Sequence, residues 1–149
     1  MTEKDEVYMR EALKEAELAF TEEEVPVGAV IVLEGKIVGR GHNTVEKERL
    51  ATRHAEINAI EDASRSLNSW RMPGAVMYVT LEPCPMCAGA ILNAKISKVV
   101  YGAEDKDGGA MGGLIDLSKL QPLRGPNLKR GVLSYESCQL LERFFRNLR

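Results

Sequence analysis

His54, Glu56, Cys84 and Cys87 are the residues of this 149-residue chain whose types and spacing suit chemistry. One imidazole and two thiolates make three ligands for a tetrahedral zinc ion. A structural zinc site closes its shell with a fourth protein ligand, whereas a catalytic one leaves that position to water. The chain has two histidines and three cysteines, and the spares, His42 and Cys138, have no partner at ligand spacing. The set therefore reads as an open site, where a bound water can ionise near neutral pH. Glu56, two residues after His54, can point at such a water without being a ligand. A carboxyl there can take and return protons if burial and the metal tune its pKa.

These residues need elements to position them. Apolar residues Val7, Met9, Leu13, Ala16 and Phe20 recur near helical spacing and predict an amphipathic helix over 5–20, broken by Pro26. Two β-rich runs, 29–33 and 36–39, flank Glu34-Gly35 and predict a hairpin. Residues 44–53 are polar and read as a loop. Thr52 is then placed to cap a helix over 54–67 with Ile57, Ile60 and Ala63 facing inward. Pro73-Gly74 marks a turn before a strand over 75–81, which Pro83 halts. A helix over 84–93, a strand over 98–102, the glycine-rich loop 108–113, a strand over 131–133 and a last helix from Tyr135 complete the order. That helix carries Leu140, Leu141, Phe144 and Phe145 as its apolar stripe. Strands alternating with helices imply an α/β sandwich with a mixed sheet. Both chemical motifs then stand at helix N-termini, whose dipoles and free N–H groups favour thiolates.

Composition is that of a globular protein: 44% hydrophobic and 28% charged residues. The length suits a single domain, residues 1–149. No apolar run reaches the roughly 20 residues of a membrane span, and the charged start MTEKDEVYMR has no apolar secretory core, so the expected compartment is the cytoplasm. An odd count of three cysteines argues against a disulfide scaffold. The formal net charge is −2, unevenly spread: residues 1–24 carry nine acids against three bases, and residues 121–149 carry six bases against two acids. Such runs are usually solvated helix faces; the basic end is also a candidate phosphate footprint.

The order His54-Ala55-Glu56 then Pro83-Cys84-Pro85-Met86-Cys87, with 26 residues between the motif cores, is the known signature of zinc deaminases that act on nucleobases. Along nearly its whole length the chain resembles the bacterial tRNA-specific adenosine deaminases of the cytidine deaminase superfamily. The resemblance is carried by Val25-Pro26-Val27-Gly28-Ala29-Val30, Gly41-His42-Asn43, His54-Ala55-Glu56, the run from Thr80 through Cys87 to Ala90, and Phe144-Phe145-Arg146. It implies a three-layer α/β/α sandwich around a five-stranded mixed sheet, one zinc ion per subunit, a homodimer, and conversion of wobble adenosine in a tRNA anticodon arm to inosine after base flipping. It further implies His54, Cys84 and Cys87 as zinc ligands and Glu56 as the proton shuttle. Asn43 matches a residue that holds the nucleoside, Pro26 and Val27 the pocket wall, Asp105 a loop near the RNA backbone, and Phe145 an aromatic near the flanking nucleotides. Where members often have Gly-Trp-Asn, this chain has His42, and its 107–113 loop is richer in glycine.

Each feature has a plainer alternative. C-x-x-C after a strand also fits a thioredoxin-like dithiol or a structural zinc module. The same zinc centre would serve a free guanine- or cytidine-type deaminase. Asn43 could simply make a turn, His42 reads as a strand-end residue, and Cys138 as a small buried hydrophobe. Of Phe144 and Phe145 one should pack inward, leaving the other free to stack on a base. Arg143, Arg146 and Arg149 lie near one helix face and are either solvated or turned to phosphates.

Overall fold

The computed structural model describes residues 2–120 and 125–148. Helix α1 (Glu3–Thr21) starts where the Thr2 hydroxyl accepts the Asp5 N–H at 3.1 Å. Three acids in its first turn suit the positive dipole end. Its buried stripe is Met9, Ala12, Ala16 and Ala19; Val7, expected inside, faces solvent. The helix ends at Thr21, ahead of Pro26, where Glu23 turns to a positive φ of 62°.

Strands β1 (Gly28–Leu33) and β2 (Lys36–His42) form the predicted hairpin, with β2 running three residues further than expected. Glu34 and Gly35 both have positive φ, 51° and 76°, the backbone that matches strand twist in a two-residue turn. The segment read as loop 44–53 contains a short helix α2 (Val45–Glu48). Then come α3 (Ala55–Leu67), β3 (Val76–Leu81), α4 (Pro85–Asn93), β4 (Lys98–Ala103), a 3₁₀ turn at Leu117–Lys119, β5 (Asn127–Lys129) and α5 (Ser134–Asn147). The sheet order is β2-β1-β3-β4-β5. β1 is antiparallel to both neighbours, and β3, β4 and β5 are mutually parallel.

Helices α3 and α4 cover one face and α1 and α5 the other, which is the expected three-layer arrangement around five strands. The alternation of strand side chains splits the core accordingly. Ile31, Met77, Val79, Val99 and Tyr101 join the alanines of α3 and α4, while Val30, Val32, Tyr78 and Val100 meet Met9 and Ala12 of α1. Among the described residues no helix is long and apolar enough to cross a membrane.

Two expectations fail here for packing reasons. The inward face of α3 is Ala55, Glu56, Ala59 and, as expected, Ala63; Ile60 is half-buried against the same core, and Ile57 is displaced to the flank. β2 lies directly on the helix backbone: a Cβ on Gly41 would sit 2.5 Å from the Ala55 carbonyl, so only small residues fit between them. The predicted strand at 131–133 is a turn. Gly131 and Leu133 take positive φ of 80° and 54°, and Val132 and Leu133 are buried plugs, while the strand itself forms earlier, beside β4. Cys138 is half-buried, its neighbour Ser137 taking the buried position instead.

Candidate active site

Two helix starts meet just past the end of β3, the central strand of the sheet. His54 is the N-cap of α3, without a side-chain cap bond, and its N–H donates to the Thr52 carbonyl at 2.8 Å. Thr52 is therefore not the cap the sequence suggests; the capping position is given to the imidazole. Cys84 is likewise the N-cap of α4, and Pro85 follows at the first helical position, where its missing N–H costs nothing. Cys87, one turn on, is fully buried.

His54 Nδ1 lies 3.6 Å from the sulfur of Cys84 and 3.6 Å from that of Cys87. All three donor atoms fall within 4.8 Å of one another. Typical zinc–sulfur and zinc–nitrogen bonds at a tetrahedral angle place their ends about 3.6 Å apart, so the donor set fits a metal of this kind. Electrostatics agree. The Cys84 thiol is held down to about 4, chiefly by a hydrogen bond from Cys87 and further by His54. Cys87 is pushed up by that same bond and by burial. His54 is raised by its contact with Cys84. Two adjacent thiols cannot both ionise without a cation, and a metal would hold both as thiolates.

Glu56, 4% exposed, sits on the inward face of α3 beside this group. Burial pushes its carboxyl up to about 7, with the Cys84 sulfur adding to the rise and its own backbone N–H, His54 and Cys87 opposing it. A carboxyl poised near neutrality can both take and give a proton.

A groove of about 1370 Å³ opens past His54. Its lining includes Asn43, Val25, Glu24 and Phe145. Asn43 makes the turn expected of it, its side-chain carbonyl accepting the Val45 N–H at 3.0 Å, and also faces the groove. Pro26 and Val27 are buried behind Val25, and Val27 packs into the core with Ala29. Phe144 is buried against Phe20, whereas Phe145 is 47% exposed on the groove. Arg143 lies over the Phe20 ring at 5.0 Å and Arg146 is exposed; Arg124 and Arg149 lie outside the described residues. Asp105 folds its own loop, accepting the N–H groups of Asp107 at 3.1 Å and Gly108 at 3.0 Å.

Two residues near this site, Glu82 and Glu24, escaped the sequence reading, and His42, read as a strand-end residue, makes contacts the sequence did not suggest. Glu82, 2% exposed, accepts the N–H groups of Asp105 at 3.0 Å, Met111 at 2.9 Å and Gly113 at 2.7 Å, tying the glycine-rich loop to the residue before Pro83. Side chains on Gly109 or Gly113 would collide with that carboxylate, so the glycines were its only signal. Glu24, 1% exposed, similarly accepts from Glu46 at 3.0 Å and Lys47 at 2.7 Å at the start of α2. His42 bridges Glu15 and Glu22 of the α1 end, each at 3.1 Å.

A His-Cys-Cys ligand set at paired helix starts, next to a buried acid on an α/β sandwich, is the site of a nucleobase-type deaminase. The chain belongs to the MafB19-like deaminase family, whose model matches residues 3–149. It is 47% identical over 146 residues to the tRNA-specific adenosine deaminase of Bacillus subtilis, covering 97% of this chain and 91% of the relative. A solved structure from work on A-to-I editing by tRNA:A34 deaminases at the tRNA wobble position superposes with a TM-score of 0.86 at 42% identity, covering 91% of this chain and 99% of that one. A solved guanine deaminase from Nitrosomonas europaea shares the fold at a TM-score of 0.81 but only 26% identity, covering 93% and 83%.

Proposed function

We propose that the chain is a hydrolase that deaminates adenosine at the wobble position of a tRNA anticodon to inosine, as one domain with a zinc ion per subunit. The observation that carries this reading is the similarity to a tRNA:A34 deaminase at 42% identity over nearly all of both chains. The lower identity to the guanine deaminase, 26%, ranks that substrate second. His54, Cys84 and Cys87 would hold the zinc, which when bound would supply Lewis acidity to the attacking water and so lower its pKa toward neutrality.

The rest falls to side chains of the protein. Glu56 takes a proton from the attacking water and delivers protons to the ring nitrogen and the leaving amine; its carboxyl, lifted to about 7, is suited to both directions. Asn43 has its amide NH₂ without a partner among the described residues, which supports a role in holding the nucleoside on the groove wall. Val27 and Pro26 back that wall. Phe145, exposed beside its buried neighbour, offers a ring for a flanking base. Arg143 and Arg146, exposed on α5, would offer charge to phosphates, and Asp105 is given a place near the RNA backbone by the resemblance alone. Exposed Met86, Leu114 and Ile115 supply apolar surface that suits a second copy of the chain, hence a homodimer in the cytoplasm, where its RNA substrate resides.

The decisive experiment incubates the zinc-loaded protein with an unmodified anticodon stem-loop bearing wobble adenosine. Inosine is quantified by mass spectrometry, with free adenosine, cytidine and guanine in parallel. Inosine from the stem-loop alone is expected. Turnover of guanine with no inosine would move the function to small-molecule metabolism.

A further inference from the structure

Asn58 lies one turn beyond the N-cap of α3, its N–H donating to the His54 carbonyl at 3.1 Å. Its side chain points across to the end of β2. The amide nitrogen donates to the His42 carbonyl at 2.8 Å and to the Thr44 hydroxyl at 3.0 Å, while the amide oxygen accepts from Arg53 at 3.2 Å. That arrangement has one orientation: a flipped amide would set its oxygen against the His42 carbonyl and its NH₂ against the guanidinium. Arg53 is itself fixed by Glu61 at 2.8 Å, and the Arg53 carbonyl accepts the Thr44 N–H at 3.0 Å.

The two residues that Asn58 grips are those on either side of Asn43. Asn43 is otherwise held by its N–H to the Val27 carbonyl, at 3.2 Å, and by its own turn to Val45. The strand end lies so close to α3 that a Cβ on Gly41 would come within 2.9 Å of the Asn58 backbone. Spacing across this contact is thus set by backbone approach, and lateral register by the Asn58 amide. Asn58 and the ligand His54 share one rigid helix, so the position of Asn43 is measured from the metal end of the site.

We infer that Asn58 is a positioning residue, which sets the reach of Asn43 over the groove relative to His54 and Glu56. This rests on the reading of Asn43 as a nucleoside contact. Removing either residue then removes one and the same interaction, and the two losses must not add.

The test is a double-mutant cycle on the zinc-loaded enzyme with the anticodon stem-loop, using Asn43→Ala, Asn58→Ala and the pair. Alanine is the best helix former, so Asn58→Ala leaves α3 intact. Each single variant is expected to lower kcat/KM by about tenfold, the size of one hydrogen-bonded contact, mainly through KM, with zinc content unchanged. The pair should lose no more than the worse single variant. Losses that multiply would overturn the proposal, as would an Asn58→Ala enzyme with an unaltered KM. Should Asn58→Ala not fold, Asn58→Asp keeps the bond to Arg53 but opposes a carboxylate to the His42 carbonyl, and must show the same coupling to Asn43. An Asn43→Ala enzyme with wild-type kinetics would instead sink the underlying reading of Asn43. Its signature, one silent variant beside an active wild type, is distinct from multiplied losses.

Discussion

The pocket of Glu56 and the corner of Glu82 each bury a carboxyl group almost completely, and they satisfy it in opposite ways. Glu82 receives three backbone N–H groups from one loop. Among the described residues Glu56 has its own backbone N–H and the Cys87 side chain as partners, and burial lifts it to about 7. The first arrangement makes a carboxylate a fastener, since charge-assisted bonds to several amides hold a loop that has little core of its own. The second leaves a carboxyl without enough partners to keep it charged, which is the condition for moving protons. Two glutamates of similar burial thus differ in what they can do because of what the backbone around each offers.

The contrast is broken most directly by deleting Glu56. Glu56→Ala should reduce inosine formation by about 10³-fold or more, as expected for loss of a general acid–base, while metal analysis still finds the metal retained. Substantial turnover by that variant would take the proton-transfer role away from Glu56. Glu82→Ala should do the reverse. Three N–H groups, one buried and two partly so, lose their acceptor, and urea denaturation should show a loss of about 3 kcal/mol. A stability equal to wild type would mean that water replaces the carboxylate freely and that the loop is not fastened there.

The sign of a milder substitution separates the two further. In the metal-free protein Glu56 has its folded pKa raised above the ordinary carboxylate value of 4.5. Its ionisation therefore opposes folding increasingly as pH rises from 4.5 to about 7. Glu56→Gln should stabilise the metal-free protein by about 2 kcal/mol at pH 8, with the gain fading below pH 4.5. Glu82→Gln, which turns an NH₂ toward backbone donors, should destabilise at either pH. Equal signs for the two would erase the distinction.

How much of this was readable in the sequence follows the same divide. The cluster of His54, Cys84 and Cys87 and the acid beside it, Glu56, were legible because they sit at fixed offsets in two short motifs, and the motifs fall at helix starts that Pro85 and the strand before it announce. Element order and the hairpin were legible from periodicity and from Glu34-Gly35. The inward face of α3 was not: the strand approaches the helix so closely that alanine replaces isoleucine as the buried residue, a tertiary fact no local pattern carries. The strand at 131–133 misled because a buried turn is as apolar as a strand. Glu24, Glu82 and Asn58 were invisible because their partners are backbone groups about 15 to 30 residues distant, and a backbone N–H has no sequence signature. Roles of the groove residues were suggested by resemblance, and the fold adds their placement.

A third set of carboxylates lies between the two extremes. Glu15 and Glu22 are answered by an ionisable side chain: His42 donates from both ring nitrogens, at 3.1 Å each, so the bridge is complete only when the imidazole is protonated. The Glu15 bond, more than any other contact, raises the His42 pKa above 6.5, with burial opposing it. A raised histidine stabilises the fold fully below its unfolded pKa and loses that contribution as pH climbs through the folded value. His42→Asn should therefore cost at most about 1 kcal/mol at pH 6, and that cost should shrink toward pH 9 as the wild-type ring gives up its proton. Melting curves of both proteins at the two pH values would read this difference. A penalty that persists at pH 9 would mean that His42 works by packing, and that titratable fastening at the α1 end is not a distinct intermediate between the fixed Glu82 corner and the mobile proton of Glu56.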